Sequence, residues 1–268
     1  MENIRQAIER AKEQSQSGVG VEPRQRARHF GDAPESRGRM PEVELDAAYL
    51  QSQRLVAYDG KNPHSRPFDL LRTEVLRSMD LKGWKTLAVT SPTPNCGKTL
   101  TAINLSLSMA RQPERRVLLV DLDLRKARVA NCLGLKCKEG VVGIIEGRID
   151  LHSAIVRARV GDSRLEILPT MPASNSSDLV ASREMRLFLE EIRGASQSQI
   201  VIFDLPPLLT GHDVISILPQ VDCVLPVAAV GTTKLSEIQE CNGHLFETNV
   251  VRFVLNKVPE TTAKYAYY

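Results

Sequence analysis

Short apolar runs recur along the chain from Phe68 onward, and helical segments fall between most of them. The runs lie at residues 86–89, 117–120, 165–168, 200–203, 223–227 and 251–255. Strands that alternate with helices are typical of a largely parallel sheet covered on both faces, with ligands beyond the carboxyl ends of the strands. We therefore predict an α/β fold. Because Pro226 cannot donate to a strand ladder, we expect its strand to be short, bulged or near an edge.

A helical pattern precedes the first of these strands. Its apolar positions are Leu70, Leu71, Val75, Leu76 and Met79, and their spacing predicts an amphipathic helix. Residues 1–12 also carry an apolar stripe of helical spacing, which predicts a short amphipathic helix there. Residues 13–66 are polar, and glycines and prolines interrupt every pattern, so we predict a flexible linker. Its arginines suit a solvated tether, with contact to anionic lipid headgroups as the alternative.

The loop at residues 90–99 reads Thr-Ser-Pro-Thr-Pro-Asn-Cys-Gly-Lys-Thr, between the first strand and a helical pattern. A tight strand-to-helix loop that ends in Gly97-Lys98-Thr99 is typical of a P-loop. Backbone N–H groups and the helix N-terminus would hold phosphates, Lys98 would neutralise charge, and the Thr99 hydroxyl would reach Mg²⁺. The strict pattern needs a glycine where this chain has Pro92, so the interpretation depends on what surrounds the loop.

Carboxylates follow two of the later strands. Asp121 and Asp123 come after the run at 117–120, and Asp204 comes after the run at 200–203. The carboxyl ends of parallel strands meet at one edge of a sheet, where the phosphate loop would also lie. Mg²⁺ needs only one or two protein carboxylates beside substrate phosphates, so Asp121 and Asp204 with Thr99 form a sufficient set. One such aspartate alone could be a loop cap, but the combination favours a Mg²⁺-nucleotide site.

Composition limits the remaining classes. The 268 residues carry a net charge of only +3, which gives no strong indication of nucleic-acid binding. The five cysteines form no C-x-x-C pair, and their odd number argues against a disulfide framework and suits a reducing cytoplasm. The charged start is unlike a signal peptide, and no apolar run is long enough to span a bilayer. We therefore expect any membrane attachment to come from a partner.

Three of the five tyrosines, Tyr265, Tyr267 and Tyr268, fall in the last four residues of the sequence. The stretch from Asn256 to Tyr268 spans roughly 40 Å when extended, enough to reach a neighbouring nucleotide site. A disordered aromatic end is the alternative reading of these tyrosines. Because the chain also carries a predicted nucleotide site, the better reading is that these tyrosines accept a phosphoryl group.

Together these segments resemble the Walker A, Walker A′ and Walker B motifs of bacterial tyrosine kinases, the cytoplasmic autokinases of capsule and exopolysaccharide synthesis. The Walker A′ segment reads Asp121-Leu122-Asp123-Leu124-Arg125, and the Walker B segment reads Asp204-Leu205-Pro206-Pro207. The resemblance covers residues 68–268 and extends to the segments at 168–170 and 254–257. It implies a P-loop NTPase fold.

The resemblance also implies an activity, namely ATP- and Mg²⁺-dependent phosphorylation of tyrosines in the enzyme's own C-terminal tail. Lys98, Asp121, Asp123 and Asp204 would be catalytic, with Asp121 or Asp123 assisting deprotonation of the tyrosine. The nucleotide would be held by Pro94, Asn95, Cys96, Gly97, Lys98, Thr99, Leu100 and Asn256, the last of which would read the adenine base. Implied partners are a membrane-embedded polysaccharide co-polymerase that activates the kinase, further copies of the chain in a ring, and a cognate tyrosine phosphatase. The enzyme would thus be recruited to the inner face of the cell membrane.

The chain departs from the family pattern at several positions. Asn95 and Cys96 stand where many members have Gly-Glu, and asparagine tolerates positive φ better than most residues. The Cys96 thiol would be an inert spacer or, near a helix N-terminus, an oxidation-sensitive group. Of the intersubunit Glu-x-x-Arg-x-x-Arg motif, only Arg72 agrees.

Two other functions stay open at this point. The first is a switch ATPase of the partitioning kind, whose members carry a signature lysine five residues before the P-loop lysine. Thr93 occupies that position here, which weighs against this class. The second is a nucleotide-binding regulatory subunit of the polysaccharide machinery without transfer activity.

Overall fold

A computed structural model describes residues 41–195, 199–211 and 213–259. The helix predicted over residues 1–12, the first part of the predicted linker and the terminal tyrosines lie outside the described residues.

A twisted sheet of eight strands occupies the centre of the described part, in the order β1-β4-β5-β3-β6-β2-β7-β8. The strands are β1 (Glu42–Glu44), β2 (Thr86–Thr90), β3 (Arg116–Asp121), β4 (Val156–Val160), β5 (Ser163–Leu168), β6 (Gln199–Asp204), β7 (Cys223–Ala229) and β8 (Val254–Asn256). Neighbouring strands pair in parallel, except for the antiparallel hairpin of β4 and β5. The predicted α/β fold with a mostly parallel sheet is confirmed.

Helices cover both faces of the sheet. They are α1 (Ala47–Ser52), α2 (Arg66–Lys82), α3 (Lys98–Ala110), α4 (Val129–Cys132), α5 (Gly140–Ile145), α6 (Leu151–Ala154), α7 (Ser176–Ala181), α8 (Arg183–Ala195), α9 (Asp213–Ile217) and α10 (Leu235–His244), with 3-10 turns at Pro63–Ser65, Leu208–Thr210 and Leu218–Gln220. Among the described residues, no helix has the length and apolar content to cross a lipid bilayer.

Two hydrophobic clusters hold these layers together. On one face of the sheet, α2 and α3 pack against side chains such as Leu87 and Leu119. On the other face, α5, α7 and α8 pack against side chains such as Leu118 and Phe203. Almost every residue of α3 is buried, as expected for a helix that lies between the sheet and α2. The first turn of α3, which follows the P-loop, is therefore fixed by the core.

The linker predicted for residues 13–66 is wrong over its last part, because residues 41–66 are folded onto the domain. Strand β1 pairs with β4, and Leu50 and Leu55 are fully buried in the cluster around α3. Asp46 caps α1 by accepting the amide N–H groups of Ala48 and Tyr49. The physical reason for the error is that this segment buries a few separated leucines against α3, which leaves no periodic pattern in its own sequence.

Asn104 on α3 holds the folded segment at residues 41–66 through hydrogen bonds to its backbone. Its Oδ1 accepts the amides of Val56 and Ala57 at 2.9 and 3.1 Å, and its Nδ2 donates to the carbonyl oxygens of Arg54 and Leu100 at 3.1 and 3.0 Å. The side chain is fully buried, so all of its hydrogen-bonding capacity is used within the protein. The P-loop helix and the folded segment before α2 are thus joined through one residue.

Strand β7, which contains Pro226, is seven residues long and therefore not short as one alternative predicted. It does lie near an edge of the sheet, because its neighbour β8 is the edge strand. The Val224 amide donates toward the β8 side, to the Asn249 carbonyl, so the alternation of the strand places the missing N–H of Pro226 on that side too. There the pairing between β7 and the terminal segment is interrupted: a bridge at Val250 is followed by a ladder that starts only at Val254. The strand expected at 251–255 is therefore observed as the shorter β8.

Candidate active site

The loop between β2 and α3 has the backbone geometry of a phosphate cradle. Asn95 and Gly97 both adopt positive φ, 65° and 94°. Asparagine tolerates this conformation, so it fills a position where the related motif has glycine. Two features disfavour a side chain at Gly97. Its φ is positive, and an added Cβ would collide with the side-chain amide of Asn256. The turn leaves the N-terminus of α3 directed at the edge where β3 and β6 end.

Lys98 lies between two carboxylates. Its Nζ is 2.9 Å from Asp123 Oδ2 and 3.2 Å from Asp204 Oδ1. Burial opposes the charged form of Lys98, but the attraction of Asp204 and Asp123 outweighs it and raises the pKa of the ammonium group. The lysine is therefore a fixed positive charge at the end of the loop.

Asp204 also contacts the neighbouring threonine. Thr99 Oγ1 donates a hydrogen bond to Asp204 Oδ2 at 2.6 Å. The carboxylate is completely buried, and this burial raises its pKa despite the opposing effects of Lys98 and Thr99. A hydroxyl and a carboxylate thus lie side by side at the start of α3.

Asp121 is the register partner of Asp204 at the ends of β3 and β6. Its two oxygens accept the amides of Asp123 and Val129 at 3.2 and 3.1 Å. Complete burial, followed by repulsion from Asp204, raises the pKa of Asp121 well above its ordinary value of 3.8. Backbone donors therefore hold Asp121 in place, while Asp123 contacts Lys98 directly.

This donor set fits a magnesium ion held beside phosphates. Mg²⁺ prefers oxygen ligands and usually takes only one or two carboxylates from the protein. Thr99 and Asp204 would supply those donors, with Asp121 behind them at the neighbouring strand end. No cluster of three or more histidine, cysteine or acidic side chains suited to a metal occurs in the described ranges.

Asn256 lies against the P-loop from the other side. Its Nδ2 donates to the Cys96 carbonyl oxygen at 2.9 Å, and its Oδ1 accepts the amide of Lys257. The structure thus brings this predicted base-reading residue next to the phosphate loop, at the end of β8.

Other predicted nucleotide residues differ in exposure. The Cys96 thiol is fully buried, 3.2 Å from the Thr93 carbonyl oxygen and 3.4 Å from the Thr233 hydroxyl. Pro94 is exposed at the tip of the loop, and the side chain of Leu100 packs partly into the core. Cys96 therefore packs inside the loop, whereas Pro94 faces outward.

Arg125 is a residue to which the sequence assigned no role. Its Nε is 2.9 Å from Asp213 Oδ2, and its guanidinium also donates to Ser177 Oγ at 2.8 Å. A further hydrogen bond of 3.4 Å reaches the Thr210 carbonyl oxygen. Arg125 thus ties the segment after Asp123 to the segment after Asp204. The sequence feature that could have identified Arg125 is its position as the last residue of the Asp-x-Asp-x-Arg motif.

Arg72, the matching position of the intersubunit motif, faces the domain interior. Its guanidinium donates to the Ser108 carbonyl oxygen at 3.0 Å and to Asp69 Oδ1 at 3.3 Å. Asp69 also pairs with Arg111 at 2.8 Å. Within this chain, Arg72 joins α2 to α3.

The chain is similar to known proteins in sequence and in fold. The family model described as an AAA domain matches residues 84–236. A protein named putative tyrosine-protein kinase EpsB, from Ralstonia solanacearum, is 30% identical over 222 residues, which cover 82% of this chain and 28% of EpsB. The chain therefore spans less than a third of that relative. Putative tyrosine-protein kinase CapB from Staphylococcus aureus is 28% identical, over 78% of this chain and 91% of CapB.

Among solved structures, the kinase domain of the Escherichia coli tyrosine kinase ETK has a similar fold. Its TM-score is 0.70 at 24% identity, and the match covers 85% of this chain and 86% of that domain. The sheet and helices described above therefore share the fold of the ETK kinase domain. The chain belongs to the AAA domain family, and the proteins to which it is similar include EpsB and CapB, both named putative tyrosine-protein kinases.

Proposed function

We propose that the chain is an ATP- and Mg²⁺-dependent tyrosine autokinase that transfers the γ-phosphate of ATP to Tyr265, Tyr267 and Tyr268. The observation that carries the proposal is the convergence of Lys98 and Thr99 on the carboxylates of Asp123 and Asp204 at the start of α3. A sequence with three tyrosines in its last four residues supplies the acceptors.

Positioning and charge neutralisation would account for most of the catalysis. The amides of the P-loop and the N-terminus of α3 bind the β- and γ-phosphates, and Lys98 neutralises part of their charge. Magnesium bound at Thr99 and Asp204 would withdraw further negative charge from the phosphate oxygens. Because Lys98 is hydrogen-bonded to the carboxylates of Asp204 and Asp123, its ammonium group is held at the mouth of the loop.

The transfer step forms a bond between the tyrosine oxygen and the γ-phosphorus and breaks the bond from that phosphorus to the β,γ-bridging oxygen. ADP is the leaving group, and the phenolic proton passes to a carboxylate. The acceptor of this proton is Asp121 or Asp123, and both carboxylates are held in place. Backbone amides bond to both oxygens of Asp121. Asp123 Oδ1 accepts the amide of Lys126 at 3.0 Å, and its Oδ2 contacts Lys98 beside the phosphate loop.

The position of Asn256 makes the acceptors reachable. Asn256 lies against Cys96 of the loop, and Tyr265 follows nine residues later. Nine extended residues span roughly 30 Å, so the tyrosines can reach a nucleotide site on the same chain or on a neighbouring copy.

The biological setting follows from the motif resemblance. We propose regulation of exopolysaccharide or capsule synthesis and export, activation by a membrane-embedded co-polymerase, assembly with further copies of the chain, and reversal by a tyrosine phosphatase. Recruitment by the co-polymerase would bring the protein to the inner face of the membrane.

The direct test is incubation with labelled ATP and Mg²⁺, followed by mapping of the labelled residues, with Lys98→Met as the inactive control. Label on the terminal tyrosines is expected. Nucleotide hydrolysis without label, even with the cytoplasmic segment of the membrane partner added, would favour a regulatory ATPase. ATP-dependent retention on DNA that survives Tyr→Phe changes at all three positions would favour a partitioning ATPase instead.

A further inference from the structure

The segment at residues 124–138, here called the basic loop, is a concentrated positive charge beside the active site. It contains Arg125, Lys126, Arg128, Lys136 and Lys138 and no aspartate or glutamate. Its charge of +5 exceeds the net charge of +3 of the entire chain. All five side chains belong to exposed residues. Such a local excess of one sign attracts anions and repels itself when no anion is bound.

The basic loop lies at the rim of the phosphate site. It begins directly after Asp123, and the amide of Val129 donates to Asp121 Oδ2 at 3.1 Å. A left-handed turn at Gly134, with the Leu135 amide bonded to the Ala130 carbonyl oxygen, then reverses the chain. The returning arm leads to Gly140, whose backbone packs on Pro169 at the end of β5. Both arms therefore cross the carboxyl ends of the neighbouring strands β3 and β5.

Four of the five cations have no ion-pair partner within the described part of the chain. Arg125 is bound to Asp213, but Lys126, Arg128, Lys136 and Lys138 form no salt bridge there. The phosphates of ATP would be held by the P-loop, so they do not account for cations on the rim. The basic loop is thus a candidate site for a second anionic ligand.

The tail of the chain changes sign when it is phosphorylated. Residues 257–268 contain Lys257, Glu260 and Lys264, so their unmodified side chains carry +1. Each phosphotyrosine adds a charge of about −1.5 to −2 at neutral pH. One phosphate therefore makes the tail anionic, and three make it strongly so. Only the modified tail is complementary to the basic loop.

We propose that the basic loop binds phosphotyrosine in the tail of this chain or of a neighbouring copy. The proposal rests on the proposed function, because that function generates the phosphotyrosine. Because the acceptor tyrosines are closely spaced, this binding would affect later phosphorylation steps. Tyr265 and Tyr267 are two residues apart, about 7 Å in an extended chain. A phosphotyrosine held on the rim keeps the next tyrosine near Lys98, so later phosphates are added to an already docked tail.

The test is a binding titration without ATP, so that it does not depend on catalysis. The full chain with Tyr265, Tyr267 and Tyr268 replaced by Phe is titrated with two fluorescent peptides of residues 257–268. One peptide is unmodified and the other carries phosphotyrosine at position 267. The phosphopeptide should bind at least about tenfold more tightly, and the difference should shrink as salt is raised.

Paired charge reversals locate the site. Lys136→Glu with Lys138→Glu should remove most of the preference for the phosphopeptide. Lys82→Glu with Lys85→Glu, an equal charge change at the opposite end of β2, should leave it intact, provided that both variants melt near the parent temperature. Equal affinity for the two peptides, or an unchanged preference in the Lys136/Lys138 variant, overturns the proposal.

A vesicle-binding experiment distinguishes phosphotyrosine from a membrane surface as the ligand of the basic loop. Binding to phosphatidylserine vesicles that depends on Lys136 and Lys138, together with no preference for the phosphopeptide, would assign the basic loop to lipid and contradict the proposal. If the protein fails to phosphorylate itself but binds the phosphopeptide selectively, the proposed autokinase function fails while the binding site stands.

Discussion

Thr99 donates a 2.6 Å hydrogen bond to Asp204, which lies 105 residues further along the chain at the end of β6. The contact joins the first turn of α3 to the end of β6 and puts a hydroxyl beside a carboxylate, the two protein ligands of the magnesium ion that we propose. The two residues therefore connect the fold to the proposed chemistry.

Thr99→Ala should raise the Mg²⁺ concentration needed for half-maximal ATP turnover by about tenfold or more, because one of the few protein oxygens near the ion is lost. Thr99→Ser keeps the hydroxyl and should remain close to wild type. The measurement is a magnesium titration at saturating ATP. Equal titration curves for Thr99→Ala and Thr99→Ser would show that the hydroxyl does not serve the metal.

The P-loop positions with positive φ should respond oppositely to substitution. Asn95→Gly should preserve or improve nucleotide affinity, because glycine adopts the left-handed conformation without steric cost. Gly97→Ala should reduce affinity severely, because it adds strain of about 1–2 kcal/mol and a collision with Asn256. Nucleotide titration with thermal melting as a folding control checks both. Normal binding by Gly97→Ala would mean that the loop is not the phosphate cradle.

Much of this site follows from the sequence. Strand-end aspartates and a Gly-Lys-Thr loop identify the edge of the sheet, since parallel strands bring Asp121 and Asp204 into register. The sequence could not reveal that Asp123, rather than Asp121, contacts Lys98. That choice depends on the local turn, in which the amides of Asp123 and Val129 occupy Asp121.

The charge state of Asp121 gives a prediction for pH. Burial and Asp204 raise its folded-state pKa, so between the unfolded value near 3.8 and the folded value the native state binds more protons than the unfolded state. Stability from this group is therefore lost as pH rises through that window. The melting temperature of Asp121→Asn relative to wild type should increase as the pH is raised from the unfolded value near 3.8 toward neutrality. A difference that is constant across this range would contradict the assignment.

Asn104→Ala should lower the free energy of unfolding by about 3 kcal/mol, because buried amide and carbonyl groups of residues 54–57 lose their partner. Ser106→Ala is a matched control, since its hydroxyl donates to the Ala102 carbonyl oxygen within the same helix, and it should cost less than about 1 kcal/mol. Denaturant unfolding measures both. Proteolysis should also cut between residues 41 and 62 faster in the Asn104→Ala protein than in the Ser106→Ala protein.

The segment that Asn104 holds also shows where sequence patterns fail. The strands around Leu119 and Ile202 are continuous apolar runs, which identify buried parallel strands directly. In residues 41–66, by contrast, burial falls on isolated leucines, and the backbone is satisfied by a side chain from α3. Such tertiary contacts have no periodic signature, so a polar segment rich in turn residues resembles a linker.

The mass of the intact protein, measured before and after incubation with Mg²⁺-ATP, tests the central claim most directly. We predict additions of up to three phosphates, all within residues 265–268, and none in Lys98→Met, whose loss of the cation between Asp123 and Asp204 should slow transfer by about 100-fold or more. The result that would contradict the account is an unchanged mass in wild-type protein that binds ATP normally, with the membrane partner's cytoplasmic segment present.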